Sequence, residues 1–175
     1  MPEPGDEYIR YLKETGCESN VISHCLTVRE VAVRIADLIL AAGMIPVDRD
    51  LVAAGAVLHD IGRSETHGMD HADAGGRICK EKKFSPAICK IVERHIGAGL
   101  NGSERVGFGL ADEDRLPETI EEKIVAHADN LVKGSRISTR EELNASIRKF
   151  PQVVQLRFTT LADELERLAG GRELP

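Results

Sequence analysis

The chain has 175 residues with 29 acidic and 23 basic side chains, a formal charge of -6, and is 42% hydrophobic and 30% charged, a balance suited to a globular fold rather than to disorder. It holds no run of roughly eighteen apolar residues and no charged-then-apolar leader, so neither a spanning helix nor a signal peptide is read, and a cytoplasmic location with no membrane partner is expected. The acidic balance and the lack of a long basic block weigh against non-specific binding along a nucleic-acid backbone, while a local cationic pocket for a small anion stays open.

A chain of this length buries a continuous core unaided, and residues 1–175 are expected to form a single domain. Its four cysteines, Cys17, Cys25, Cys79 and Cys89, make neither a CxxC pair nor a dense framework, which suits reduced thiols packed as small apolar groups. In chain order, the apolar residues recur at three and four positions, the helical period. Between Val21 and Ala42, residues Cys25, Val28, Val31, Ala32, Ile35, Leu38 and Ile39 share one face, with Gly43 as a left-handed stop. A short helix carrying Leu51, Ala54 and Leu58 ends near Asp60, and another is expected after Gly68. Ser85 caps the next helix, Pro86 takes its first position, and Ile88, Ile91, Val92 and His95 form its stripe before Gly97.

From Gly97 to Pro117 runs a long irregular connection with glycines at 97, 99, 102, 107 and 109; connections of that length are uncommon inside compact domains and are often lids or binding loops. Thr119 and Glu122 read as a capping box opening a helix with Ile120, Ile124, Ala128 and Leu131. A second box, Thr139 with Glu142, opens the C-terminal packing helices of residues 139–169, whose last segment turns Val154, Phe158, Leu161, Leu165 and Leu168 inward. No segment alternates like a strand, so the expected class is all-α, a helical bundle of about six to eight helices.

Several polar residues stand where this pattern asks for aliphatic ones. His24 lies one turn before Val28, His95 shares the stripe of Ile88, Ile91 and Val92, and Asp129 follows Val125 by one turn. A lone histidine on an apolar face is usually a core residue with a hydrogen-bond partner, but a carboxylate is rarely buried without something cationic beside it. The stretch "AVLHDIGRSETHGMDHADAG" from Ala56 to Gly75 adds His59, His67 and His71 with Asp60, Asp70 and Asp73. Imidazole and carboxylate together suit a divalent transition metal such as Fe, Mn, Co, Ni or Zn, with Mg also compatible. Gly62 is read as the residue that lets the backbone turn sharply after His59-Asp60.

His24, His59-Asp60 in "HDIG", His71 in "HADAG", His95 in "RHIGAG" and Asp129 in "HADN" resemble the ordered motif of the HD-domain superfamily of metal-dependent phosphohydrolases. The resemblance covers about residues 23–136, and its later motifs are similar to those of the HD-domain hydrolases that split diadenosine tetraphosphate. Arg63 in place of a lysine and the longer loop after His95 depart from that pattern. The resemblance implies one or two ions: His24, His59, Asp60 and Asp129 around the first, Asp60 bridging, His71 and His95 on the second. Two divalent ions would bring four positive charges against two carboxylates, a net-cationic well that attracts a small phosphorylated substrate, a nucleotide by preference. Asp60 and His59 then carry the chemistry, with a metal-activated hydroxide as nucleophile.

Arg63, Arg94, Arg105, Lys133 and Arg136 are candidates for substrate phosphate, Arg63 foremost because it follows the HD pair. His67 is read as solvent-facing, His127 as pointing away from whatever Asp129 faces, and Asp70 and Asp73 as helix caps. The 97–117 segment is read as a mobile lid in which Arg105 or Phe108 touches the substrate, against the alternative of a solvated connector. Beside the hydrolase stand two other readings, an HD-type di-iron oxygenase and a catalytically silent nucleotide-binding metal module; homo-oligomers fit any of them.

Overall fold

A computed structural model describes residues 3–175. Among them nine α-helices carry the architecture: α1 (Asp6–Glu14), α2 (Ser19–Ala42), α3 (Arg49–Leu58), α4 (His71–Glu81), α5 (Pro86–Arg94), α6 (Gly102–Gly107), α7 (Ile120–Leu131), α8 (Arg140–Ser146) and α9 (Gln152–Leu168). Two 3-10 turns, Ile61–Ser64 and Ile147–Lys149, follow α3 and α8. The all-α reading holds, with one small exception: Val132–Lys133 (β1) pairs antiparallel with Arg136–Ile137 (β2) across a tight hairpin. Two residues per strand are too few to leave an alternating pattern in the sequence.

The helix ends follow local chemistry. Gly43 closes α2 at φ 67°, the left-handed cap expected of it. Ser85 accepts the Ile88 N–H at the start of α5, with Pro86 in the first turn, and Thr139 and Glu142 complete a reciprocal box at α8. At α7 only half of the box forms: Thr119 accepts the Glu122 N–H, but the Glu122 carboxylate turns to the Glu118 N–H and to Arg94, both at 2.8–2.9 Å.

The sequence reading lacked α1 and α6. α1 fully buries only Leu12 and starts at Gly5, which offers no side-chain cap, so little in its sequence marks it. α6 lies inside the supposed irregular connection and carries its own capping box, Asn101 with Glu104.

Two apolar clusters share a spine. Val28, Ile35, Ile39, Ile124, Leu131, Leu143 and Leu165 anchor one, built on α2, α7, α8 and α9. Leu12, Cys25, Leu58, Ile61, Ile78, Cys79 and Val92 anchor the other, built on α1, α3, α4 and α5. Helices α2, α3 and α5 contribute to both, and it is their histidines that converge. Among the described residues no helix is long and apolar enough to cross a membrane.

Candidate metal centre

Four helix termini or faces bring imidazoles to one place. His59 follows the last residue of α3, His71 is the first residue of α4, His95 follows the last residue of α5, and His24 lies within α2. Each ring is held the same way. Nδ1 faces a backbone carbonyl oxygen in every case: Gly134 for His24 at 2.7 Å, Ala56 for His59 at 2.7 Å, Gly68 for His71 at 2.8 Å and Val92 for His95 at 2.7 Å. A carbonyl only accepts, so Nδ1 carries the hydrogen, and in the neutral ring Nε2 is left as a bare lone pair.

Those lone pairs converge on two carboxylates. Asp129 Oδ1 lies 2.9 Å from His24 Nε2 and 3.5 Å from His59 Nε2. Asp60 divides its oxygens: Oδ2 faces His24 and His59 at 3.9 and 3.7 Å, whereas Oδ1 faces His71 and His95 at 3.3 and 3.5 Å. His71 Nε2 and His95 Nε2 are 3.1 Å apart, a separation that two lone pairs tolerate only with a proton or a metal ion between them. His59 Nε2 is buried without any hydrogen-bond partner. Ligands about 2.1 Å from one ion sit about 3.0 Å apart at right angles and about 3.4 Å apart at tetrahedral angles, close to the donor separations here. The donors of His24, His59 and Asp129, and those of His59, Asp60 and His95, each lie within 4.8 Å of one another. The residues present therefore fit a bound divalent ion.

The electrostatics favour ionised carboxylates. Burial by itself raises Asp60, but the imidazoles facing it, His59 first and then His71 and His95, outweigh it and hold the carboxyl well below its usual range. Asp129 is likewise raised by burial and lowered further by the His24 and His59 imidazoles that face it. Burial pushes His95 down, towards the neutral ring that a metal ligand must be.

Gly62 has a different job from the one its sequence context suggested. Its φ is not in the left-handed region; instead α4 crosses so near that a Cβ would overlap the His71 carbonyl and approach Gly75 N at 2.5 Å. That close approach is what sets His71 against Asp60. Gly76 makes the equivalent contact on the other side, where a Cβ would overlap the Glu93 side chain. Another unread partner is the Gly134 carbonyl of the β1–β2 hairpin, which orients His24 from 110 residues away.

The candidate substrate residues separate. Arg63 stays at the rim, with Nε 3.3 Å from Asp60 Oδ1 and Nη1 donating to the His67 carbonyl at 3.0 Å. Arg94 is committed to Glu118 and Glu122 at 2.9 Å each. Arg105 does not reach the centre: it is 3% exposed, donates to Asp73 at 2.9 Å and to the Ala111 carbonyl at 3.1 Å, and ties α6 to α4. Arg136 is exposed and bound to Glu142 at 3.0 Å, and Lys133 is exposed on the hairpin. His67 is 64% exposed. His127 points away from the ligands into the core, where burial and Arg140 push its pKa down to about 4. Asp73, read as a cap, serves Arg105, and Asp70 accepts from the Thr66 hydroxyl rather than capping α4.

Comparison with known proteins identifies the family. The family model HD domain matches residues 21–134. A tRNA (cytidine(56)-2'-O)-methyltransferase of Picrophilus torridus is 46% identical over 166 residues, 94% of this chain and 47% of that protein, so the chain spans about half of that relative's length. An uncharacterized protein of Methanocaldococcus jannaschii is 48% identical over 134 residues, 77% of either chain. Among solved structures, the HD domain of the L. monocytogenes phosphodiesterase PgpH in complex with cyclic-di-AMP superposes with a TM-score of 0.56 at 19% identity, covering 95% of this chain and all of that one. With the family model matched over most of the chain and the fold shared with a solved HD domain, this protein belongs to the HD domain family.

Proposed function

We propose that the chain is a metal-dependent phosphohydrolase whose substrate is a nucleotide phosphodiester. The observation that carries this reading is the division of Asp60, one oxygen towards His24 and His59 and the other towards His71 and His95. A carboxylate so placed suits two neighbouring ions. His24, His59, Asp60 and Asp129 would hold the first, and Asp60, His71 and His95 the second. Bound ions of this kind supply Lewis acidity and make water a nucleophile near neutral pH.

The protein's own residues do the rest. Nδ1–H bonds to backbone carbonyls turn Nε2 of all four rings towards the centre, where each would bind an ion as a neutral donor, so the only charged ligands would be two carboxylates and a doubly loaded centre would stay net positive. A phosphate is drawn to such a well, and Arg63 at its rim is placed to share a phosphate oxygen. The choice of a diester draws on PgpH, a phosphodiesterase solved with cyclic-di-AMP. Methyl transfer is not proposed: converging imidazoles and carboxylates are cation ligands, and the relative named for methylation is about twice as long as the matched stretch.

The test is reconstitution with Mn, Co, Ni or Mg, elemental analysis, and a screen of cyclic and linear dinucleotides beside phosphomonoesters. The expected outcome is stoichiometric metal and turnover of a diester. Asp60→Ala should lose both metal and activity, because its loss leaves two cations facing each other, whereas His71→Ala should retain the first ion and lose about half of the metal. Substoichiometric metal in the reconstituted protein, or full metal and activity in His71→Ala, would overturn the two-ion reading.

A further inference from the structure

We infer that an apolar cavity between α6 and the start of α9 is the subsite for the substrate's nucleobase. The inference rests on the phosphohydrolase reading and deepens it. The cavity encloses about 350 Å³ and is walled by Met69, Ile96, Leu100, Phe108, Phe150 and Phe158. That volume is at the lower end of the roughly 300–1,000 Å³ typical of small-molecule sites, enough for a base with its sugar.

Continuity with the metal centre sets what occupies it. Ile96 directly follows His95, and Met69 lies two residues before His71, so the cavity wall is continuous along the chain with the two residues assigned to the second ion. Between them the backbone turns through Gly97 and Gly99 in left-handed conformations, φ 60° and 89°. At Gly97 a Cβ would meet the Phe158 ring at 3.0 Å, so the chain runs flush over that ring.

Three of the chain's four phenylalanines stand here. Phe150 and Phe158 are nearly parallel, 20° between planes and 6.0 Å between centroids, and Phe108 is 53% exposed at the opening. Phe150 and Phe158 pack on one another as the wall, and the exposed Phe108 ring offers the face that stacks on a base of any sequence. Charge sets the direction: Glu104 at the cavity's edge is neutralised by Arg157 and caps α6, and no Lys or Arg lines the cavity, whereas the ion-loaded centre attracts a phosphate. A nucleotide therefore enters with its phosphate towards the ions and its base towards Phe108.

The experiment titrates the metal-loaded protein with AMP, GMP, CMP, UMP and ribose 5-phosphate, by calorimetry where the phosphate stays intact and by KM where it is consumed. The tightest nucleotide should bind about tenfold or more better than ribose 5-phosphate. Phe108→Ala, a change at an exposed ring, should erase about tenfold of that preference while metal content and ribose 5-phosphate binding stay as they were. Equal binding of nucleotide and sugar phosphate overturns the inference, as does a preference that Phe108→Ala leaves intact. A dimer that Phe108→Ala dissociates without touching the preference also overturns it, assigning the face to a second copy. A base preference in a protein that hydrolyses no ester would leave the subsite standing and remove the hydrolase.

Discussion

Each of the four converging imidazoles donates Nδ1–H to a main-chain carbonyl, and these four short bonds decide the tautomers from which the proposed chemistry starts. Buried thiols show the opposite use of burial at the residue scale. Cys17, Cys25, Cys79 and Cys89 are all buried and unbridged, and burial, helped by Cys89 and Glu93, pushes the Cys79 thiol up to about 12. A thiolate is the reactive form, so the native protein should react negligibly with a disulfide reagent at pH 8 and release four thiols per chain once denatured. Rapid reaction of the folded chain would contradict this packing. The sign of the linked pH effect follows: the unfolded thiol ionises near its ordinary value of about 9 and the native one near 12, so Cys79 lowers stability as pH rises through that window. Cys79→Ala should flatten alkaline unfolding curves, measured with denaturant from pH 8 to 11.

At the scale of elements, the site depends on how closely α4 lies against the turn after α3. Gly62→Ala would drive a methyl into the backbone of α4, which cannot move aside as a side-chain end can, and should cost about 3 kcal/mol. Because His71 opens α4, the same variant should also bind less metal. Gly68→Ala is the control: there the added methyl meets the flexible end of Asp70, and the change should be small. Denaturant midpoints and metal content of the two variants check both. The connection from Gly97 to Pro117 carries a helix, hydrogen bonds and ion pairs of its own. Leu100 and Arg115 exchange backbone hydrogen bonds at 2.8 and 3.1 Å, Arg105 is buried on Asp73, and Arg115 reaches Glu93 at 2.7 Å. A deletion of residues 102–109 would remove that buried ion pair along with Phe108, so single substitutions are the sharper probe.

Over the whole molecule, the two apolar clusters are built from aliphatic residues and do not need an ion to exist. Metal that binds only the native state adds stability by mass action, about 2.7 kcal/mol at a hundredfold excess over Kd. Chelation should therefore lower Tm by several degrees while far-UV circular dichroism at room temperature keeps its helical form. Loss of the helical signal on chelation would show that the imidazole cluster, rather than the apolar clusters, holds the helices together.

Much of this was written locally in the sequence. The helical period, the Gly43 stop, and the caps at Ser85 and Thr139 are decided by residues within a few positions of one another, where backbone sterics and side-chain hydrogen bonds act. The candidate ligands were legible for a similar reason: His24, His95 and Asp129, which the structure brings together, break apolar stripes whose period is itself local. Only the tertiary structure decided the rest, because the deciding forces act between residues far apart in sequence. It gave Arg105 to Asp73, 32 residues away, where the sequence suggested a substrate contact. It spent Glu122 on Arg94 instead of on its own cap. It made Gly62 a point of contact with α4, and it set Gly134 to orient His24. Periodicity tells which side of a helix faces inward; which carbonyl or carboxylate waits there depends on how the helices pack.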